Sequence, residues 1–173
     1  PGMLTENGKE QAKKLASRLK NEKIAVIFSS DLQRAKDTTE EIAKFHKVSI
    51  YYTSELRERS LGPFEGRPRK EFYKALEESG LSFAEFTVEG GEGFTELKGR
   101  ARRFLSRLFE KYKDETILIS SHGGWIKMLL GVLFDKSIEE ALEVEQDNAC
   151  INIVEVGEDF ECKAHMINDI GHL

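Results

Sequence analysis

Three features that would each assign this sequence to a broad class are missing or scarce: cysteine, long hydrophobic runs and an excess of positive charge. Two cysteines, Cys150 and Cys162, in 173 residues do not form a disulfide framework, so a reducing, cytoplasmic setting is expected. The longest apolar runs are far shorter than a membrane span. The net charge of −5 provides no general attraction for nucleic acid or an anionic membrane, so we expect neither as a partner.

A zinc site built from the two cysteines would need further ligands, and His165 and His172 are the candidates nearest in sequence. Their spacing matches no standard zinc-ligand pattern. Two buried thiols on strands are the better interpretation, and the sequence predicts neither a metal nor another cofactor.

What the sequence does contain is a regular alternation of strand and helix patterns. Predicted strands cover about 24–28, 48–52, 116–120, 150–156 and 160–167, the last two joined at a hairpin-like turn. Predicted helices cover about 5–20 (capped by Thr5), 32–45, 69–78, 95–112 and the residues after SHGG to 133. This order indicates one α/β domain with a mainly parallel, covered sheet.

The stretch FSSDLQRAKDTTE, residues 28–40, joins the end of a buried strand pattern to the start of a helix pattern. Ligands of open α/β sheets bind beyond the carboxyl ends of the strands, and a helix start capped by Ser30 or Asp31 already favours an anion. Arg34 adds a planar guanidinium that can hold two phosphate oxygens. A surface salt bridge from Arg34 to Asp37 or Asp31 is the alternative, and this motif alone does not decide between them.

Two further stretches carry polar groups close to predicted strand ends. In ILISSHGGW, residues 117–125, His122 suits a nucleophile, a proton shuttle or a phosphate ligand, and a backbone-satisfied capping histidine is the alternative. The two glycines after it allow a ligand to approach the backbone. In ELRERSLGPFEG, residues 55–66, Glu58 is placed to donate a proton to a leaving oxygen, and a solvated charge cluster is the alternative.

Taken together and in this order, these motifs resemble the histidine phosphatase superfamily, which has the phosphoglycerate-mutase-like fold. The matching stretches are LTENGKEQA, FSSDLQRAKDTT, LRERSLGPFEG, GGE and SSHGG, and the resemblance extends from Leu4 to the final HL. It implies a single three-layer α/β domain over residues 1–173, with a mainly parallel sheet, helices on both faces and a helical lid insertion at about 61–94.

The resemblance also implies a role for each candidate residue. Arg34 is a phosphate-pocket arginine, Glu58 is the proton donor, and His122 is the pocket histidine that steadies the transferring phosphoryl group. The further residues implied to contact phosphate or substrate are Gly123, Arg59 and Arg69. If Glu58 is not the acid, Glu92 is the next candidate.

One part of the family pattern is absent from this sequence. The family's nucleophile is a histidine in an arginine–histidine–glycine motif on the first strand, and none of the four histidines here lies in such a motif. The strand–helix alternation likewise lacks a strand before the first helix. The chain is therefore interpreted as the family fold without its first strand. These 173 residues alone are expected to be inactive, and a second copy or a separately supplied amino-terminal segment is expected to complete the sheet.

The leading functional hypothesis is a metal-independent phosphomonoesterase that acts on a small phosphorylated metabolite through phosphohistidine. A phosphoglycerate mutase would use the same residues, but the short 61–94 region is more typical of the family's phosphatases. A non-catalytic phosphate-binding or scaffold module is the hypothesis from another class, and the presence of Glu58 argues against it. Four phenylalanines either line an apolar substrate pocket or form the core of the lid: Phe64, Phe72, Phe83 and Phe86.

Overall fold

The protein, seen here as a computed structural model that describes residues 2–173, has the predicted α/β class. The strands are β1 (Val26–Ser30), β2 (Ser49–Thr53), β3 (Ile117–Ser120), β4 (Ile151–Val156) and β5 (Cys162–Asp169). The first three form a parallel sheet with the order β2–β1–β3. A second sheet is an antiparallel pair of β4 and β5.

Six α-helices surround these strands within the described residues: α1 (Glu6–Leu19), α2 (Gln33–Ala43), α3 (Arg69–Ser79), α4 (Phe94–Lys111), α5 (Gly123–Leu133) and α6 (Ile138–Glu143). Short 3-10 turns lie at Ser54–Leu56 and Gly62–Phe64. Within residues 2–173, no helix is both long enough and apolar enough to cross a membrane.

Helices cover both faces of the parallel sheet. Because neighbouring residues of a strand point to opposite sides, each strand contributes side chains to the core on both faces. Ile27 of β1 is fully buried in a cluster with α1 and α2, whereas Phe28, the next residue, packs against a cluster formed by α4, α5 and α6. In β3, Leu118 contacts the first cluster and Ile119 the second. The predicted three-layer arrangement follows from this alternation.

The first helix begins as the sequence predicts. The side chain of Thr5 accepts a hydrogen bond from the N–H of Gly8 at 3.0 Å, which satisfies one of the free donors of the first turn. The predicted apolar face of α1 is buried, with Leu15 and Leu19 packed against β1 and α2. Burial of such a face, more than local propensity, stabilises a helix of this length.

The end of β1 lies two residues further along the chain than predicted. Ser29 and Ser30 belong to the strand and are fully buried, because their hydroxyl groups find partners inside the protein. Ser29 donates to the carbonyl of Ser30 at 3.0 Å and bonds to the hydroxyl of Thr39 at 2.9 Å. The prediction that Ser30 or Asp31 caps α2 is wrong, since the capping position is Leu32 and has no side-chain cap.

The carboxyl-terminal strands differ from the prediction of one sheet. Within residues 2–173, β3 pairs only with β1 and β4 pairs only with β5, so the strands form two sheets. The hairpin between β4 and β5 is confirmed, but β5 begins at Cys162 instead of 160 because Phe160, with φ 60°, belongs to the turn. Helix α6 was not predicted, although Ser137 and Glu140 form a capping box at its start.

The two ends of the 61–94 segment meet at a pair of glycine turns. The N–H of Glu92 donates to the carbonyl of Ser60 at 2.9 Å. Gly62 has a φ of +54°, and a Cβ atom added there would lie 2.8 Å from the nitrogen of Gly91. Only glycine allows both this backbone conformation and this close approach.

We expect Gly62→Ala to destabilise the protein more than Gly66→Ala. Gly66 also has a positive φ, +74°, but nothing lies within 4 Å of its added Cβ, so alanine there costs only the left-handed conformation, about 1 kcal/mol. At Gly62 the methyl group must also displace backbone atoms, which raises the cost to about 3 kcal/mol. Urea unfolding of both variants measures the difference, and equal losses would contradict the close packing of the two turns.

Candidate active site

His122 lies at a crevice formed by the carboxyl ends of β1 and β3. These strands are parallel, with Ser29 opposite Ser120, so the residues that follow each strand come together. His122 is only 7% exposed, and its Nε2 atom lies 2.8 Å from the hydroxyl oxygen of Ser30. The imidazole is therefore fixed at the point where the predicted ligand crevice begins.

The pKa of His122 is lowered from 6.5 to about 4, first by burial and then by the positive charges of Arg34 and Arg100. The carboxylate of Asp31 acts in the opposite direction. At neutral pH the imidazole is therefore uncharged, with one N–H donor and one acceptor nitrogen. The influence of Arg34 also places its guanidinium within electrostatic reach of His122.

Arg34 lies in the first turn of α2 and is half-buried. The alternative interpretation, a salt bridge to Asp31 or Asp37, is wrong. Asp31 is held by Arg57 through two bonds of 2.6 and 2.7 Å, and Asp37 accepts a bond from Gln33. No carboxylate among residues 2–173 lies within ion-pair distance of Arg34. Its charge is thus available to an anion.

Glu58 is held beside His122 by two backbone donors. The N–H of Arg59 donates to Oε1 at 2.9 Å, and the N–H of Gly124, in the first turn of α5, donates to Oε2 at 3.0 Å. A Cβ atom on Gly124 would lie 2.4 Å from the same carboxylate, so the second glycine after His122 provides the necessary space. Glu58 is thus held at the start of α5, next to His122 in the chain, and Arg34 lies within electrostatic reach of His122.

The other predicted site residues lie in different settings. Gly123 is the first residue of α5, where helix geometry leaves the N–H without an acceptor inside the helix. Arg59 is 6% exposed and is enclosed by aromatic rings. Arg69 is exposed at the start of α3, and within residues 2–173 its side chain makes no ion pair and no hydrogen bond.

Arg100 was missed by the sequence reasoning. Its guanidinium makes two bonds to the carboxylate of Glu92, at 2.9 and 2.7 Å, and two to the carbonyls of Glu55 and Arg57, at 2.6 and 2.8 Å. It thereby joins α4 to the loop that carries Glu58, and it occupies both oxygens of Glu92, the second candidate acid. One sequence signal could have identified Arg100. It directly precedes Ala101, which lies on the buried apolar stripe of α4, and a charged residue beside such a stripe needs a partner.

Ser30 was also assigned too small a role, as a helix cap. Its hydroxyl accepts from the N–H of Leu32 at 3.3 Å and contacts the imidazole of His122.

The metal alternative has no structural support: within residues 2–173, no three histidine, cysteine or acidic side chains lie close enough together to hold an ion. His165 instead bonds to Glu155 at 2.7 Å.

Protonation of His122 is expected to lower the stability of the protein as the pH falls from about 6.5 to about 4. In that window the unfolded chain binds the proton and the folded protein does not, so acid favours unfolding. The loss assigned to this residue approaches about 3 kcal/mol at the acidic end. Urea unfolding of the wild type and of His122→Asn at about pH 7, 5.5 and 4 measures it, and parallel pH dependences for the two proteins would contradict the assignment.

The chain matches the family model of the histidine phosphatase superfamily (branch 1) over residues 2–169. It is 32% identical to the phosphoglycerate mutase-like protein 4 of Arabidopsis thaliana, over 98% of this chain and 76% of that protein. It is 30% identical to the metal-independent phosphoserine phosphatase of the same plant, over 98% of this chain and 72% of that one. Against the bifunctional protein Rv2228c of Mycobacterium tuberculosis, at 31% identity over 87% of this chain, it spans only 42% of the relative.

Solved structures share the fold. Bacillus stearothermophilus YhfR superposes with a TM-score of 0.89 at 26% identity, over 98% of this chain and 86% of that one. A mycobacterial glucosyl-3-phosphoglycerate phosphatase superposes with a TM-score of 0.82 at 24% identity, over 96% of this chain and 86% of that chain. With the family model matched along almost the whole sequence, this chain belongs to the histidine phosphatase superfamily.

Proposed function

We propose that this protein is a phosphomonoesterase. Three groups near the carboxyl edge of the parallel sheet support the proposal: an arginine with no acidic partner among residues 2–173, a neutral buried histidine and a carboxylate held by two backbone donors. The arginine and the histidine suit a phosphoryl group, and a fixed carboxyl beside them suits proton transfer. Similar proteins include a metal-independent phosphoserine phosphatase and an adenosylcobalamin/α-ribazole phosphatase.

In the first step, an imidazole nitrogen attacks phosphorus and forms a P–N bond while the P–O bond to the leaving group breaks. Glu58 gives its proton to the departing oxygen, which leaves as an alcohol. Water then attacks phosphorus, Glu58 takes one of its protons, and the P–N bond breaks to release phosphate and restore the imidazole. The carboxyl thus acts as acid and then as base, and the phosphohistidine is the covalent intermediate.

The nucleophile is proposed to be a histidine outside these 173 residues. His46, His165 and His172 do not lie in an arginine–histidine–glycine motif, and His122, which contacts Ser30, is assigned to the phosphoryl oxygens in this proposal. Such a histidine can come from the same polypeptide or from a separately supplied segment or second copy.

Arg34 is proposed to hold two phosphoryl oxygens, with His122 and the N–H of Gly123 as further donors. These fixed charges and dipoles match the charge that spreads over the equatorial oxygens during transfer, so no step requires a metal. Arg69, exposed at the start of α3, is proposed to contact the outer part of a bound substrate. The substrate is a small phosphorylated metabolite, and the two free cysteines favour a cytoplasmic location.

The short 61–94 segment favours hydrolysis over phosphoryl transfer between substrates. The 61–94 segment is short and contains one α-helix, α3, together with the 3-10 turn at Gly62–Phe64. A mutase must retain its substrate during rephosphorylation, which requires a fuller cover than this segment provides. A phosphate-binding scaffold, the hypothesis from another class, would have no use for a carboxylate fixed as Glu58 is.

The proposal is tested by comparing the 173-residue chain with the protein extended at its amino end by the upstream coding sequence (the extended protein). We expect the extended protein to hydrolyse a sugar phosphate or an aryl phosphate in the presence of a chelator and to form an acid-labile phosphohistidine. The 173-residue chain alone should do neither. Activity that disappears with the chelator, or phosphohistidine on the short chain, would contradict the proposed mechanism.

Glu58→Gln in the extended protein should lower kcat by about 10²–10⁴-fold for alkyl phosphates, because the amide does not ionise and cannot transfer a proton to the leaving oxygen. The loss should be smaller for nitrophenyl phosphate, whose leaving group needs little protonation. Arg34→Ala should instead raise KM and lower kcat for both substrates, since its guanidinium contacts phosphate throughout the reaction.

Glu55→Gln is the matched control for the Glu58 variant. Its carboxylate lies three residues away and pairs only with the exposed Arg107 at the surface, so the substitution should leave kcat and KM nearly unchanged. Equal losses for alkyl and nitrophenyl phosphate in Glu58→Gln would remove Glu58 from the acid role.

A further inference from the structure

The guanidinium of Arg59 lies in an enclosure of three phenylalanines, which we name the aromatic enclosure. Its central carbon is 4.2 Å from the ring centroid of Phe94, 5.3 Å from that of Phe83 and 5.6 Å from that of Phe72. No carboxylate among residues 2–173 forms an ion pair with it, so the faces of the rings stabilise the charge.

The rings of the aromatic enclosure pack against one another around the arginine, with Phe83 exposed at its edge. The ring centroids of Phe83 and Phe94 are 5.3 Å apart, and those of Phe72 and Phe83 are 6.4 Å apart. Phe72 and Phe94 are buried, and the carbonyl of Phe86 accepts a bond of 3.4 Å from Nη1 of Arg59. The side chain of Arg59 therefore fills the space that the sequence had left open for an apolar substrate.

The same residue holds the carboxylate of Glu58 through its backbone. The N–H of Arg59 donates to Oε1 of Glu58 at 2.9 Å, while Gly124 holds the other oxygen. Burial lowers the pKa of Arg59, and the nearby carboxylates of Glu58 and Glu92 oppose that shift. The charge of Arg59 thus also acts on Glu58, and one residue contacts both the enclosure and the carboxyl group.

We infer that Arg59 is a positioning residue, which transmits the packing of the 61–94 segment to the carboxylate of Glu58. Because the side chain is fixed by the rings, the backbone N–H of the same residue has little freedom to turn away from Oε1. The inference rests on the proposed function, in which Glu58 is the proton donor. It differs from the substrate contact that the family resemblance implies for Arg59, since the guanidinium is directed into the rings.

Hydrogen exchange on the 173-residue chain tests the coupling without any need for activity. In Phe83→Leu, which alters the enclosure and does not touch Glu58, the N–H groups of Arg59 and Gly124 should exchange at least about tenfold faster. Phe160→Leu is the control, because Phe160 is an exposed ring in the turn between β4 and β5 that packs against Phe109, and it should leave both rates unchanged. Unchanged rates in Phe83→Leu would overturn the inference.

Kinetics of the extended protein test the consequence for proton transfer. Arg59→Met and Phe83→Leu should each lower kcat for alkyl phosphates by about tenfold and leave kcat for nitrophenyl phosphate within about threefold. KM and inhibition by inorganic phosphate should stay unchanged, and the double variant should lose less than the product of the two single losses. Arg59→Lys, which keeps the charge without the planar group, should fall between Arg59→Met and the wild type.

Two kinetic outcomes would overturn the inference. A higher KM with equal losses for both leaving groups would make Arg59 a direct substrate contact. A lower unfolding temperature of Arg59→Met and Phe83→Leu with unchanged kcat and KM would show that the enclosure stabilises the fold and does not position Glu58. If the extended wild-type protein has no phosphatase activity, the proposed function fails, while the exchange experiment still decides whether the enclosure holds Glu58.

Discussion

The parallel pairing of β1 with β3 is the constraint on which the rest of the site depends. It aligns Ser29 with Ser120, so the chain leaves both strands at the same edge of the sheet, and Ser30 meets His122 there. Helix α5 then starts at this edge, and the N–H of Gly124 in its first turn reaches the carboxylate of Glu58. If β3 shifted by one residue relative to β1, its side chains would turn to the opposite face of the sheet, and Ser30 and His122 would separate.

Two acidic groups near His122 are each paired with an arginine other than Arg34. Asp31 binds Arg57, and Glu92 binds Arg100, each through two nearly parallel bonds. Partly exposed ion pairs of this kind add little to the free energy of unfolding, but they fix the relative orientation of the groups they join. Here they hold the loops on either side of Glu58. Because every nearby carboxylate is already engaged, the guanidinium of Arg34 remains available to an anion from solution.

Local patterns were enough to predict most of the fold and to indicate which strand ends carry candidate site residues. The apolar periodicity of α1 and α4, the parallel strands and the strand-end positions of Arg34 and His122 all depend on short stretches of sequence. The misplaced end of β1 and the missed contacts of Arg100 depend on partners far along the chain. Ser29 is tolerated in a buried strand because of Thr39, and Arg100 is explained by carbonyls more than forty residues away, at Glu55 and Arg57. No local pattern contains such pairings.

The neutrality of the buried imidazole has a consequence for how the crevice responds to acidity. Guanidinium groups keep their charge across the physiological range, and His122 gains its proton only near pH 4. The electrostatic potential that an incoming anion meets is thus nearly constant between pH 5 and 8 on the protein's side. A phosphate monoester changes its own charge in that interval, with a second ionisation at about pH 6. Under the proposed function, a change in phosphate affinity across this interval would therefore reflect the ionisation of the ligand and not that of His122.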